Sequence, residues 1–259
     1  MEGLALVTGA GNGIGRAISH RFVKDGARVL AVDIDDAALA ALAGELGDRV
    51  VTAHCDVTDE ASLESVAATA QSLGGLTAAV ANAGRGTWSP VVDHTLDEWR
   101  AVLDLCLTGT FLTVKHAARV MHDGGSIVTI ASLNAIQPAE GMSAYCAAKA
   151  GVAMFTKVAA MELGHRRIRV NGIAPGLVQT QLTGGFFSIP GMVEEFVENT
   201  AVGRFAQPED IADAAAFLAG PESTFVSGTL MSVDGGAHTK RYPDLPRAFA
   251  RMLEQQPDT

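Results

Sequence analysis

Three side chains in the middle of the chain could carry out acid–base chemistry. Tyr145 and Lys149 stand four residues apart at the start of a helical pattern, so both lie on one helix face. A tyrosine has a pKa of ~10, which is high for a base at neutral pH, and a neighbouring ammonium lowers it. Such a pair alone is usually two surface residues, but Ser132 follows a buried-strand pattern, where its hydroxyl could bind a substrate oxygen. The set predicts proton transfer to or from an alcohol or ketone oxygen, with Tyr145 as acid or base.

A glycine-rich segment near the start of the chain predicts a dinucleotide site. Thr8–Gly15, TGAGNGIG, joins a predicted strand to a predicted helix, where glycines let a pyrophosphate approach the backbone and the helix N-terminus supplies N–H donors. The spacing departs from G-x-G-x-x-G, because Ile14 stands where the last glycine would fall. A purely structural turn therefore stays an alternative.

Asp33 closes the second predicted strand and is expected to select the cofactor. Its carboxylate can accept hydrogen bonds from both hydroxyls of an adenosine ribose and would repel a 2′-phosphate. No Arg or Lys follows in Ile34-Asp35-Asp36, and the residue before Gly13 is Asn12 rather than a cation. These residues favour NAD over NADP, and the alternative is an aspartate that only caps the next helix.

Strands and helices alternate along the chain in an order that would bring these residues together. Helical patterns separate most of the strand runs, and most runs lack polar alternation, as in parallel strands covered on both faces. We predict one α/β domain over residues 1–238, a Rossmann-type doubly wound parallel sheet of about seven strands with helices on both faces. The predicted strands are Leu4–Thr8, Arg28–Asp33, Val50–Cys55, Thr77–Ala81, Ser126–Ala131, Arg169–Ala174 and Thr229–Val233.

Two of the predicted helices are unusually long. One begins with a capping-box pattern and spans Thr95 to about His122, where Asp123-Gly124-Gly125 ends it. The other spans Ser143–His165 and is apolar over more of its circumference than packing on one sheet requires. The surplus apolar surface predicts contacts between subunits of a homo-oligomer.

Two segments beside the expected site lack a clear pattern. Residues 176–206 are expected to form a substrate lid. The apolar residues of this lid favour a substrate with hydrophobic surface, such as a cyclic, aromatic or terpenoid alcohol. Trp88 either lines the pocket or is a buried structural residue. Residues 239–259 form a tail that is expected to pack on the lid or on a subunit interface. The apolar residues behind these expectations are Leu182, Phe186, Phe187, Ile189 and Met192 in the lid and Tyr242, Leu245, Phe249 and Leu253 in the tail.

These motifs resemble those of the short-chain dehydrogenase/reductase family, whose cofactor motif T-G-x-x-x-G-x-G is matched in full by Thr8–Gly15. The resemblance runs from Leu4 to about Gly236 and maps the family's catalytic Ser, Tyr and Lys onto Ser132, Tyr145 and Lys149. It makes a homotetramer or homodimer the expected assembly. The residues that it implies for cofactor binding are Gly9, Asn12, Gly13, Ile14, Gly15, Asp33, Ile34, Asp56, Val57, Asn82, Ala83, Gly84, Tyr145, Lys149, Pro175, Gly176, Val178 and Thr180.

Cys106 departs from the family's pattern. Leu105–Phe111 resembles a segment V-N-L-x-G-x-F whose Asn holds a relay water, and Cys106 occupies the Asn position. A thiol is too weak a donor and acceptor to hold a water as an amide does. Either the backbone carbonyl keeps the water or the proton leaves by another path. A buried small hydrophobic role is favoured over a redox role for this cysteine.

The composition excludes several classes of function. The formal net charge of -10 opposes binding to nucleic acid. The three cysteines, Cys55, Cys106 and Cys146, lack the C-x-x-C spacing of a zinc site and suit a reducing compartment. The histidines show no paired spacing, so no metal is expected. Neither a signal peptide nor a membrane-length apolar run is found, so a cytoplasmic protein is expected.

The favoured function is an NAD-dependent oxidoreductase that moves a hydride between the cofactor and a secondary alcohol or ketone. One alternative is a 3-oxoacyl thioester reductase, against which Asp33 and the acidic charge count unless Arg166, Arg167 and Arg169 form a basic patch for a carrier protein. The other alternative is a catalytically silent dinucleotide-binding regulator, in which Cys106 marks a relaxed constraint on the site.

Overall fold

A seven-stranded parallel sheet forms the centre of the computed structural model, which describes residues 2–181, 183–246 and 250. The strand order is β3-β2-β1-β4-β5-β6-β7, so the order reverses between β1 and β4, where ligands bind in folds of this kind. The predicted fold class is confirmed. The strands are β1 Leu4–Thr8, β2 Arg28–Asp33, β3 Val50–His54, β4 Leu76–Ala81, β5 Met121–Ile130, β6 Arg169–Pro175 and β7 Leu230–Val233.

Helices cover both faces of the sheet and bury it in two apolar clusters. One cluster places Phe22 of α1 and Ile211 of α9 against the sheet, and the other does the same with Leu63 of α3 and Leu112 of α5. Every residue of β1 is buried, which explains why its sequence lacks polar alternation. The helices are α1 Gly13–Lys24, α2 Asp36–Leu46, α3 Glu60–Ser72, α4 Leu96–Leu103, α5 Gly109–Val120, α6 Ser143–Leu163, α7 Gly184–Phe187, α8 Met192–Glu198 and α9 Pro208–Ala219.

The prediction of one unbroken helix from Thr95 to about His122 is wrong in two respects. The capping box at Thr95 is present, but a π-helical turn over Asp104–Thr108 separates α4 from α5. Helix α5 ends at Val120, and the predicted terminator Asp123-Gly124-Gly125 lies in β5, where the register against β4 is irregular. Gly124 has φ +87°, so it allows the irregular backbone within β5 rather than ending the helix.

The lid and the tail contain short elements. Residues 176–206 include α7 and α8. After β7, Tyr242 and Leu245 of the tail pack against apolar residues of this segment. Leu182, Phe249 and Leu253, which the sequence assigned to the lid and the tail, lie outside the described residues. In the described part of the chain, no helix has both the length and the apolar character needed to cross a bilayer.

Candidate active site

A single cavity of about 530 Å³ runs along the carboxyl ends of the strands. Ser132, Tyr145 and Lys149 line one part of it, and Asp33 and Ile34 line another. All of the expected cofactor-binding residues line this cavity except Gly15. The structure therefore brings the sequence-derived acid–base and dinucleotide residues into one continuous space.

Gly15 is needed for close packing rather than for lining the cavity. A Cβ at this position would lie 2.1 Å from the carbonyl oxygen of Gly9 and 2.7 Å from Asn82 Nδ2. Asn82 Nδ2 donates to the carbonyls of Thr8 and Gly9, at 2.9 and 3.1 Å. The glycine thus lets α1 approach the turn after β1, and Asn82 ties that turn to the end of β4.

Asp33 fixes the far side of the glycine-rich turn. Its Oδ2 accepts a hydrogen bond from the Gly11 backbone N–H at 2.9 Å, and its Oδ1 accepts from the Asp35 N–H at 3.1 Å. A Cβ at Gly11 would lie 3.1 Å from Asp33 Oδ2. The helix-capping role falls to Asp35, which accepts from Ala38 N–H, so Asp33 is not the cap of α2. Its carboxylate is left to line the cavity.

The charges around Asp33 are negative. Asp35 and Asp36 follow it at the surface, and Asp36 pairs with His54 at 3.0 Å. Within the described residues, the cations lining the cavity are Arg85 and Lys149, and Lys149 lies beside Tyr145. No Arg or Lys side chain faces Asp33 from the cavity lining described here, so a 2′-phosphate at this position would meet negative charge without compensation.

The remaining expected cofactor contacts surround the same cavity. Asp56 accepts hydrogen bonds from the backbone and hydroxyl of Thr58, and these lower the pKa of its carboxyl. Thr180 lies against Gly13, where an added Cβ would come within 3.1 Å of its methyl group. Gly176 packs on the backbone of Asp234. Other parts of the protein therefore lie so close to both glycines that a larger residue would not fit at either position without a shift.

Ser132 and Tyr145 form the centre of the candidate acid–base site. Ser132 follows β5 and caps a short 3₁₀ turn, accepting the Asn134 N–H at 3.1 Å, so its side chain is held at the strand end. The Tyr145 hydroxyl forms a hydrogen bond with Ser132. Burial raises the pKa of Tyr145, and the hydrogen bond with Ser132 offsets only part of that rise.

Lys149 is buried directly behind Tyr145. Its Nζ lies 5.6 Å from the centre of the Tyr145 ring and donates to the carbonyl of Ile130 at 2.8 Å. Burial lowers the pKa of this ammonium. The pair therefore lies in a dry, low-dielectric environment, where a positive charge brought next to the tyrosine has a large effect on its proton affinity.

Cys106 lies in the π-helical turn beside the same pair. It is completely buried, and its Sγ donates to the carbonyl of Arg85 at 3.3 Å. The backbone carbonyl of Cys106, the alternative holder of a relay water, accepts the Thr110 hydroxyl at 2.8 Å. Both polar groups of this residue thus have protein partners, which fits a small packing residue better than a relay group.

The walls of the substrate end differ from those expected. Phe186 lines the cavity, whereas Phe187 packs edge to face on Phe205, and Ile189 and Met192 are buried behind the surface. Trp88 lines the cavity and is 40% exposed, so the buried structural alternative is wrong.

Several lining residues were missed by sequence reasoning. Leu177 and Phe196 supply apolar surface, as does Leu245, which the sequence analysis noted only as part of the apolar tail; Asn134 and Thr87 supply polar atoms. The only local signal was Asn134, two residues after Ser132, because the others reach the cavity through contacts that no motif encodes. Tyr242 was noted in the sequence as part of an apolar tail, but not as a pocket residue.

One cluster outside this cavity resembles a metal site. Glu60, Glu64 and His116 place ligand atoms within 4.8 Å of one another. However, Glu60 already pairs with both His116 and the ammonium of Lys115. A lysine at this position opposes a cation, so the cluster is better described as an ion-pair network.

Comparison with known proteins gives matches over nearly the whole chain. The sequence profile of a family described as enoyl-(acyl carrier protein) reductase matches residues 9–238. D-threitol dehydrogenase from Mycolicibacterium smegmatis is 39% identical over 241 residues, which cover 90% of this chain and 92% of that protein. Cis-4-hydroxycyclohexanecarboxylate dehydrogenase from Sinomonas cyclohexanicum is 39% identical over 245 residues, 91% and 96% of the two chains.

Solved structures match in the same way. A short-chain type dehydrogenase/reductase from Mycobacterium ulcerans superposes with a TM-score of 0.90 at 32% identity, covering 98% of both chains. A 3-ketoacyl-(acyl-carrier-protein) reductase from Brucella melitensis, complexed with NADH, has a TM-score of 0.83 at 31% identity and covers 91% of this chain and 98% of that one. These proteins are oxidoreductases, and one of them was solved with a dinucleotide.

Proposed function

The chain belongs to the short-chain dehydrogenase/reductase family, and from that membership we propose that it interconverts secondary alcohols and ketones with NAD as its cofactor. The observation that carries this proposal is the placement of Ser132, Tyr145 and Lys149 in the same cavity as Asp33. One end of the cavity offers acid–base groups, and another offers a carboxylate that suits an adenosine ribose.

The residues of the cavity fit a dinucleotide. Gly9 and Gly13 line the cavity and leave the turn after β1 open to a ligand, and Asp33 anchors that turn through Gly11. The nicotinamide, when bound, supplies the acceptor or donor of the hydride. Because Asp33 stands among acidic residues, we propose NAD rather than NADP.

In the proposed reaction, Tyr145 exchanges a proton with the substrate oxygen at its phenolic hydroxyl. Ser132 hydrogen-bonds the same oxygen and holds it beside Tyr145. Lys149, fixed by the Ile130 carbonyl, stabilises the phenolate that forms when Tyr145 has released its proton in the reductive direction. In alcohol oxidation the same groups act in reverse, and Tyr145 removes the hydroxyl proton.

The substrate end favours an alcohol with apolar surface. Phe186, Phe196, Leu177 and Leu245 form its apolar walls. Burial of apolar surface against such walls contributes roughly 25 cal/mol per Å². A cyclic secondary alcohol fits this lining, and one relative with 39% identity is named for a hydroxycyclohexanecarboxylate.

The thioester reductase alternative is supported by the matched 3-ketoacyl-(acyl-carrier-protein) reductase structure but opposed by the net charge of -10. Of the three arginines that could form a basic patch for such a carrier, Arg167 is exposed. Arg166 pairs with Asp123 and donates to backbone carbonyls, and Arg169 donates to the Leu218 and Gly220 carbonyls. The guanidinium groups of Arg166 and Arg169 thus bind other parts of the same chain. An acidic carrier protein would therefore meet an acidic chain with little basic surface there.

The assembly proposed is a homodimer or homotetramer. Helices α5 and α6 expose Phe111, Met154 and Met161, and α9 and the following turn expose Phe217 and Phe225. Apolar side chains on adjoining helices are typical of contacts between subunits. Sedimentation analysis of the full chain tests this proposal, and a monomer at micromolar concentration would contradict it.

The function is tested by following NADH formation from a panel of cyclic and acyclic secondary alcohols, with the reverse reaction followed from the matching ketones. We expect turnover with NAD and loss of turnover in Tyr145→Phe. A chain that binds NAD but forms no NADH from any alcohol, and consumes none with any ketone, would instead support the silent regulator. Faster turnover of 3-oxoacyl thioesters with NADPH would support the reductase alternative.

A further inference from the structure

The chain contains two tyrosines, and both line the same cavity. Tyr145 is the proposed acid–base residue, and Tyr242 lies in the tail after β7. The aromatic ring of Tyr242 packs edge to face on Phe196 of α8, with 6.0 Å between the ring centres. Its side chain is therefore fixed by the lid helix and points into the substrate end of the site.

Polar contacts hold the tail on both sides of Tyr242. Gln137 Nε2 donates to the Lys240 carbonyl at 2.6 Å, and Lys240 Nζ donates to the Glu198 carbonyl at 2.6 Å. Arg241 forms an ion pair with Glu195 at 2.5 Å. The segment is thus fastened to the loop after Ser132 and to α8, so the position of Tyr242 is specified by the fold.

The hydroxyl of Tyr242 is linked to the catalytic serine through one amide. It donates to Asn134 Oδ1 at 3.3 Å, and Ser132 Oγ lies 3.5 Å from the same oxygen. The two hydroxyls therefore lie no further apart than the sum of these two distances. Ser132 is placed to bind the reacting oxygen, so Tyr242 lies within reach of an oxygen on a neighbouring carbon.

The Tyr242 hydroxyl is a neutral hydrogen-bonding group with acceptor capacity left. Burial raises its pKa to about 12, so it stays protonated at neutral pH. Because its hydrogen points to Asn134, its oxygen lone pairs can accept a hydrogen bond from a ligand. A further lining hydroxyl, Thr87 Oγ1, is buried and has no hydrogen-bond partner in the part of the chain that the structure describes.

The Tyr242 oxygen interrupts the apolar walls of the substrate end, whereas Thr87 Oγ1 is covered by protein atoms and is not open to a ligand. A purely apolar ligand would cover the Tyr242 lone pairs without offering them a hydrogen-bond donor, which disfavours its binding. A second hydroxyl close to the reacting carbon can donate to this oxygen. The lining therefore selects for a substrate that carries an apolar body and two neighbouring oxygens.

We propose that Tyr242 is a specificity-determining residue that binds a second oxygen of the substrate, so that vicinal diols and the matching α-hydroxy ketones are preferred over simple secondary alcohols. This inference rests on the proposed function. In the oxidative direction one hydroxyl is oxidised to the ketone, its proton passing to Tyr145 and its hydride to NAD. The second hydroxyl is unchanged and donates to Tyr242.

The test compares matched alcohols with and without the second oxygen. Initial rates of NADH formation are measured for cis-1,2-cyclohexanediol against cyclohexanol and for meso-2,3-butanediol against 2-butanol, in the full chain and in Tyr242→Phe. We expect the wild type to favour each diol about tenfold in kcat/KM, the value of one good hydrogen bond. In Tyr242→Phe, which keeps the ring on Phe196, the diol-to-alcohol ratio should fall to about one.

Arg241→Gln serves as the matched control, since it breaks the ion pair with Glu195 and leaves the Tyr242 hydroxyl in place. Loosening the tail in this way should change both members of a pair by the same factor. The inference would be overturned if the wild type showed no preference for the diols, or if Tyr242→Phe lowered both members equally. No NADH from any of the four alcohols, with NAD binding intact, would overturn the proposed function as well.

Discussion

Replacing Asp33 by asparagine should shift the cofactor preference toward NADP. The change removes the negative charge that lines the cavity and preserves the size of the side chain. An amide oxygen can still accept one of the two backbone hydrogen bonds, from Gly11 or from Asp35. The turn is therefore expected to keep its shape, so that the effect reports mainly on charge.

The size of the shift follows from two contributions. Ribose hydroxyls that donate to a carboxylate gain about 1.5–3 kcal/mol, and losing about half of this with a neutral acceptor lowers kcat/KM for NAD roughly tenfold. A 2′-phosphate at ~4 Å from the carboxylate is repelled by about 4 kcal/mol at an effective dielectric of 20, which solvent at this partly exposed site roughly halves. Removing that repulsion raises kcat/KM for NADP about tenfold or more, so the ratio changes ~100-fold.

The assay measures kcat/KM for both nicotinamides at saturating alcohol and, separately, their dissociation constants without alcohol. Asp36→Asn is the matched control, because it neutralises an equal charge three positions away on an exposed side chain outside the cavity lining. It should leave the NAD-to-NADP ratio within about threefold. A ratio that Asp33→Asn leaves unchanged, or that the control changes as much, would refute the assignment of Asp33 to the ribose.

Four further predictions concern the remaining residues of the site. Tyr145→Phe should lower kcat on the order of 10³-fold while NAD binding, measured by titration, changes little; retained turnover would remove Tyr145 from the mechanism. Gly15→Ala should destabilise the fold by several kcal/mol in urea unfolding, because its Cβ would lie 2.1 Å from the Gly9 carbonyl. The control Gly44→Ala in α2 has nothing within 4 Å of its Cβ and should stabilise the fold by up to about 1 kcal/mol in the same assay. Cys106→Ser should change kcat less than about threefold, since the thiol only packs and donates to the Arg85 carbonyl; a loss on the scale of Tyr145→Phe would show a direct chemical role. The folded-state pKa of Tyr242 is raised to about 12, so the stability linked to its protonation is complete below the unfolded pKa of ~10 and is lost as the pH rises toward 12. The melting temperature of Tyr242→Phe should therefore fall less steeply than that of wild type over this pH range. Equal slopes would contradict the burial of the hydroxyl.

The parts of the site that the sequence predicts are those encoded by short-range patterns. Asp33 ends a strand, Ser132 follows one, and Lys149 is one helical turn from Tyr145, so period and spacing are enough to bring these side chains to one sheet edge. The number of strands follows from the same alternation, whereas their order in the sheet comes from the structure. Gly15 shows the limit of this reasoning, because its motif position is right but its contact is with the Gly9 carbonyl rather than with the cavity.

The break in the long helix had no comparable signal. Asp104–Thr108 contains no proline or glycine, and its helical pattern continues on both sides. Tertiary contacts open the turn instead. Cys106 donates to the carbonyl of Arg85 in another segment, and Gly109 packs so closely on Val57 that a Cβ on Gly109 would lie 2.8 Å from the Val57 side chain. Contacts of this kind are set by packing between elements distant in sequence, which propensity and period do not report.

The two ends of the cavity differ in how well the sequence predicts them. The proposed acid–base residues lie just after β5 and on α6, which are held in the sheet layers, and Lys149 is positioned by the Ile130 carbonyl. The substrate end is assembled from Phe196 on the lid helix and Tyr242 and Leu245 on the tail, which meet through side-chain contacts. Substitutions in the lid or tail can therefore change the second oxygen or apolar group that is recognised while Tyr145 and Lys149 stay fixed. For this reason Tyr242, rather than the catalytic residues, is the position at which the substrate class of this chain should be tested first.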